Sequence, residues 1–273
     1  MTAGTSARRV VRSDGFKGLA KLGLAARGTI YLLIGWLAVL LALGKSPRET
    51  DQRGALQEVT RHNGGFLLLW VIAIGLTGYA LWRLSEAAFG VAGDPKGHEK
   101  GPRLKSLFRG CLYAFFAVNA FNLLATARTK SQARQQQQLT TRVMQHSAGR
   151  WVVGIVGAVV IIVGLVLVYE GIARKFKKHF ALADMPAGSR RIVWFLGTFG
   201  TAARGVAFAL TGYFLVRAAW DYDARKARGL DGALRNTVAD STTGRILVLV
   251  VAVGMIAFGL FGYAEAAWRR TTT

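Results

Sequence analysis

Residues 65–89 read GFLLLWVIAIGLTGYALWRLSEAAF, a run whose only charges, Arg83 and Glu86, stand close to its end. As a helix it is about 37 Å long at 1.5 Å per residue, enough to cross roughly 30 Å of hydrocarbon. Five more runs have this character, at residues 22–43, 104–126, 151–173, 193–220 and 245–268. All are about twice the length of a barrel strand and lack its alternation. The expected fold is an all-α integral membrane protein of six transmembrane helices.

The six runs form one unit written three times. Arg27-Gly28, Arg109-Gly110 and Arg204-Gly205 each lead an apolar run, and Glu86, Glu170 and Glu265 follow near the end of the next, 59, 61 and 61 residues later. Gly65, Gly149 and Gly244 each precede their glutamate by 21 residues. Recurrence at one spacing marks a repeat of a two-helix hairpin. Two crossings per unit return the chain to its starting side, so the units are parallel repeats about an axis along the membrane normal. The expected organisation is an N-terminal segment 1–20 and hairpins 21–90, 103–173 and 193–268, with pseudo-threefold symmetry.

Composition agrees with this reading. The chain is 52% hydrophobic yet carries 36 Lys and Arg against 14 Asp and Glu, a formal charge of +22. The basic residues are spread over every connection and form no nucleic-acid-binding module, so nucleic acid is not an expected partner. They suit a rim facing anionic lipid headgroups, at about 1 kcal/mol per basic side chain near the surface; no protein partner is legible. The side holding both termini has 21 of the 36 basic residues, so the positive-inside rule places both ends in the cytoplasm. About twenty polar residues precede the first run, which is too long for a cleaved signal and is read as a retained anchor. The single cysteine, Cys111, excludes an intrachain disulfide.

Each outer loop is expected to hold a short amphipathic helix, because Leu56/Val59, Leu139/Val143 and Leu234/Val238 recur at helical spacing. The middle repeat departs most: Gln135–Gln138 replaces the Gly-Ala turn of the other two, and residues 127–148 contain no acid. Most tryptophans fall near helix ends, where indoles favour the headgroup region. Gly154, Gly157, Gly164, Gly254, Gly259 and Gly262 stud two helices, as close helix packing in lipid requires.

The repeated charges are the sharpest candidates for a site. Arg27, Arg109, Arg204, Glu86, Glu170 and Glu265 all fall in the half of the membrane nearer the termini, and an arginine at mid-bilayer costs about 2.5–3.5 kcal/mol unless partnered. Arg–Glu pairs are therefore expected, either as a clamp between hairpins or as a gate around a central path. Asn119 and Asn122 lie mid-helix in the third span without counterparts elsewhere, as interhelical or ligand contacts. Tyr31, Tyr113 and Phe208, each four residues after a repeated arginine, read as packing. His62, His98, His146 and His179 fall in loops without metal-binding spacing, and Gly93-Asp94-Pro95-Lys96-Gly97 lacks the context of a phosphate loop. No catalytic, cofactor-binding or metal-binding residues are assigned.

The Arg-Gly-x-x-Tyr start, the Gly54-Ala55-Leu56 loop and the ending from Gly75 to Ala87 resemble the tandem two-helix repeat of the domain of unknown function 1206 family, bacterial membrane proteins common in actinobacteria. The resemblance runs from about Lys21 to Trp268; the third repeat keeps Gly262-Tyr263-Ala264-Glu265-Ala266, while the second keeps chiefly Arg109-Gly110, Tyr113 and Glu170. It implies six crossings of the bacterial cytoplasmic membrane and no particular activity. The expected function is a non-enzymatic multi-pass membrane scaffold or envelope-associated factor; the alternative is a small transporter or channel gated by the repeated Arg–Glu pairs.

Overall fold

The computed structural model describes residues 14–45, 50–59, 65–90, 99–126, 132–145, 148–181, 185–223, 226–227 and 229–269. Residues 1–13 of the N-terminal segment, the Gly93–Gly97 loop and His62, His98 and His146 lie outside this set. The described chain is helical: α1 (Asp14–Ala42), α2 (Gln52–Val59), α3 (Gly65–Phe89), α4 (Lys100–Thr126), α5 (Gln132–Met144), α6 (Gly149–Ile172), a 3-10 turn (Lys175–His179), α7 (Ala187–Trp220), α8 (Gly229–Asp240) and α9 (Thr242–Trp268). Six of these, α1, α3, α4, α6, α7 and α9, are long and apolar enough to span a membrane.

Five of the six long helices start earlier than the apolar runs that announce them, three of them by four residues or more. α1 begins at Asp14, α4 at Lys100 and α7 at Ala187, directly after Pro186. Hydropathy registers only the hydrocarbon-facing turns, whereas backbone hydrogen bonds continue the helix into water. Ser241 starts α9 as an N-cap, its Oγ accepting from the Gly244 N–H at 3.0 Å.

The first helix of each repeat packs most closely on the second helix of the repeat before it: α1 on α9, α4 on α3 and α7 on α6. Glycines permit this approach. A Cβ on Gly28 would lie 2.7 Å from the Gly259 carbonyl oxygen, and one on Gly205 would lie 2.6 Å from that of Gly164. Where lipid removes the hydrophobic drive between helices, such backbone proximity supplies the dispersion contact. Within a repeat, α1 packs on α3 and α7 on α9, but α4 and α6 do not pack along their length. The spatial order is therefore α4, α3, α1, α9, α7, α6: an arc joined where the first and last repeats meet and open within the middle one.

The short helices that join the two spans of each repeat follow the same asymmetry. Leu56, Val59 and Leu234 are buried, and the Thr50 N–H donates to Asp231 across 2.6 Å, tying α2 to α8. In α5, however, the apolar pair Leu139/Val143 is exposed and Met144 is buried instead. Gln135–Gln138 continues that helix. It rests on α6 and α8.

Candidate functional site

Glu265, near the end of α9, is the centre of the charge arrangement. Only 4% exposed, its carboxylate accepts from Arg27 on α1 and from Arg269 one turn further along its own chain. Arg27 also donates from Nη1 to the Tyr79 hydroxyl at 3.1 Å, and that oxygen accepts from Arg83 Nε at 3.0 Å. Arg83 in turn bonds Glu86 at 2.6 Å, and Ser106 Oγ of α4 donates to the same carboxylate at 3.1 Å. A chain of buried polar contacts thus crosses from the third repeat through the first to the second.

The expectation that the six repeated charges form Arg–Glu pairs holds for one pair and fails for the other four residues. One repeated arginine, Arg27, meets a repeated glutamate, across the closure between first and third repeats. The corresponding partner of Arg109 would be Glu86, but Arg83, which has no counterpart in the other repeats, holds that carboxylate. The corresponding partner of Arg204 would be Glu170, which instead turns to Lys105 at 2.9 Å, a solvent-accessible pair. Among the described residues, neither Arg109 nor Arg204 has a carboxylate within ion-pair distance. Arg109 is set among Arg83, Arg204 and Arg269, the charges that act on it most strongly after burial, with the Tyr79 phenol beside them.

Aromatic rings take the place of the missing carboxylate at Arg204. The Arg204 guanidinium lies 5.3 Å from the Tyr31 ring centre, 5.4 Å from Phe208 and 5.1 Å from Phe258. Each such contact is worth about 2 kcal/mol when desolvated. Tyr31 and Phe208 therefore receive a cation rather than serving as packing alone. Tyr31 meets Phe258 edge to face at 4.7 Å, and Tyr79 meets Tyr113 at 4.4 Å; these rings fill the space between helices at the level of the arginines. Trp82 is another departure: it is 1% exposed, with Arg83 4.5 Å and Arg269 5.0 Å from its ring centre, rather than at a headgroup boundary.

Five arginines, Arg27, Arg83, Arg109, Arg204 and Arg269, share this region with two carboxylates, Glu86 and Glu265. Arginine does not deprotonate in proteins, so the cluster is formally cationic. Three of its donors, Arg27 Nε, Arg83 Nη2 and Arg204 Nε, are buried without an acceptor. His179, on the 3-10 turn beside the cluster, has its pKa lowered to about 3 by burial and then by Arg269 and Arg83. It is neutral at physiological pH.

Asn119 and Asn122 do not join this cluster. The Asn119 amide donates to the carbonyl of Phe115 at 2.7 Å on its own helix, and Asn122 is exposed. Tyr79, Trp82, Arg83 and Arg269 were not among the residues that the repeat spacing singled out. Tyr79 and Arg83 stood in the Gly75–Ala87 motif, but nothing in spacing told which charges would meet. A separate groove of about 540 Å³ lies between the end of α6 and the start of α7, with Arg174, Arg191, Trp194 and Thr198 on its walls.

The Domain of Unknown Function (DUF1206) profile matches three segments, residues 22–90, 104–174 and 199–269. The chain is also similar to a protein of Bacillus subtilis (strain 168) described as "Uncharacterized protein YxxB", at 30% identity over 261 residues, covering 94% of this chain and 92% of that protein. No solved structure matches. With three copies of the repeat and six helices long and apolar enough to span a membrane, the chain belongs to the DUF1206 family.

Proposed function

We propose that the protein is a non-enzymatic scaffold of the bacterial cytoplasmic membrane, with both termini cytoplasmic, that presents the open side of its middle repeat to partners within the bilayer. The observation that carries this reading is the unequal treatment of equivalent charges. Arg27, Glu265 and Arg269 fasten the first repeat to the third, while α4 and α6 stand apart. A duplicated hairpin that keeps one buried clamp and frees another interface behaves as a frame with a lateral opening.

The alternative, a path gated by the repeated charges, requires pairs that switch around an open axis. Of the repeated charges only Arg27 and Glu265 pair with each other, and tyrosine and phenylalanine rings fill the space at their level. Flux in proteoliposomes separates the two. The scaffold reading expects K⁺, Cl⁻ and inorganic phosphate to leak no faster through wild-type or Glu265→Gln protein than through empty vesicles. A flux that appears when Glu265 loses its charge would replace the scaffold by a gate.

A further inference from the structure

The Lys105–Glu170 bridge shows which sides of α4 and α6 look at each other across the opening. Residues 7, 11 and 14 positions beyond Lys105 lie on the same side of α4: Leu112, Phe116 and Asn119. On α6, residues 7, 11 and 18 positions before Glu170 are Val163, Val159 and Val152, all three exposed. Hydrocarbon is the solvent such a valine wall requires. At the terminal end of the same cleft, Arg109 follows Lys105 by one helical turn, keeps part of its surface accessible and has no carboxylate partner. Behind it stand Arg83 and Arg204, each with a buried donor lacking an acceptor.

We propose that the α4–α6 cleft binds an anionic phospholipid, its phosphate accepting hydrogen bonds from Arg109 and Lys105 and an acyl chain lying along the valine wall. The proposal deepens the scaffold reading by naming a bilayer partner for the open side. Charge complementarity identifies the occupant. A cationic cluster with unpaired donors at one end of an apolar slot matches a molecule that carries an anion on a hydrocarbon chain, and matches neither a zwitterionic lipid nor a free ion equally well. The Lys105–Glu170 pair, being solvent-accessible and weakly held, opens to admit the headgroup.

The test uses the full chain in phosphatidylcholine nanodiscs with and without phosphatidylglycerol, read by thermal unfolding and by native mass spectrometry of retained lipid. Wild type is expected to retain phosphatidylglycerol over phosphatidylcholine and to unfold at higher temperature in its presence. Arg109→Gln should lose that preference by roughly tenfold, the worth of one charge-assisted hydrogen bond. It should still fold in pure phosphatidylcholine at least as stably as wild type, since the charges that act most strongly on it are those of Arg83, Arg204 and Arg269. The Arg174→Gln/Arg191→Gln variant, which alters only the groove between α6 and α7, should behave as wild type. Undiminished preference in Arg109→Gln would overturn the proposal, as would loss confined to the Arg174/Arg191 variant. Stabilisation by inorganic phosphate equal to that by phosphatidylglycerol would overturn it too, by assigning a free-anion site. A leak in the flux assay counts against the scaffold alone, so the two readings fail separately.

Discussion

Replacing Glu265 by glutamine removes the single carboxylate that serves two buried guanidiniums while leaving side-chain volume almost unchanged. Glu265 and Arg27 are 4% and 5% exposed, and Arg269 is 8% exposed, so water does not take over the lost charge. Breaking a buried ion pair on one side costs about 3–5 kcal/mol, which raises the unfolding constant by roughly two to three and a half orders of magnitude. Glu170→Gln, at the equivalent position of the second repeat, touches only the accessible Lys105 pair and should cost about 0–1 kcal/mol. Equilibrium unfolding of both variants in the same nanodiscs measures the contrast. Because Arg269 shares the carboxylate, an apolar swap of Arg27 and Glu265 alone leaves a buried cation. The compensating variant is Arg27→Met/Glu265→Leu/Arg269→Met, expected within about 1 kcal/mol of wild type or above it, since well-packed apolar groups equal or exceed a buried ion network. Losses of similar size at Glu265 and Glu170, or a triple variant as unstable as Glu265→Gln, would refute the clamp.

Gly164→Leu should impair folding severely, because its Cβ would meet the Gly205 carbonyl oxygen at 2.6 Å, whereas Gly18→Leu, which has nothing within 4 Å, should fold normally; the folded yield after extraction reports both. His179 binds its proton less readily folded than unfolded, its pKa being lowered to about 3 from an ordinary value near 6.5. Its contribution is therefore full above about pH 6.5 and falls away as the pH drops toward 3, with a slope of at most about 1.4 kcal/mol per unit; His179→Gln should flatten the stability profile in that window. Cysteines at Lys45 and Lys178 in a Cys111→Ser background should be labelled from opposite sides of the membrane, with Lys45 reached from outside intact cells. The reverse labelling would contradict the cytoplasmic placement of the termini.

The helices and the threefold recurrence were legible because hydrocarbon imposes one length and one polarity on every span. Arg27 and Glu265 were legible as members of a buried Arg–Glu clamp between hairpins, although which repeats it would join was not. Which glutamate meets which arginine depends on the packing register between repeats, and the intervals that define the repeat are the same under every register. Arg83 illustrates the limit. It lies three residues before Glu86, a spacing a helix brings together, yet only the fold shows that it displaces Arg109. Trp82 looked like a boundary indole because its distance from the end of α3 says nothing about burial by Arg83 and Arg269. The separation of α4 from α6 left little trace beyond the divergence of the middle loop and the loss of motif residues in that repeat.

The helices form an arc fastened between α1 and α9 and open between α4 and α6. Thiol cross-linking with the shortest bifunctional reagents in membranes, on a Cys111→Ser background, tests that directly. Thr29→Cys/Tyr263→Cys, at positions where α1 and α9 pack within side-chain reach of each other, should link rapidly. Phe116→Cys/Val159→Cys, facing across the cleft, should remain unlinked and accept a lipid-soluble maleimide at both positions. Equal linking of the two pairs would show a closed ring and contradict the open middle repeat.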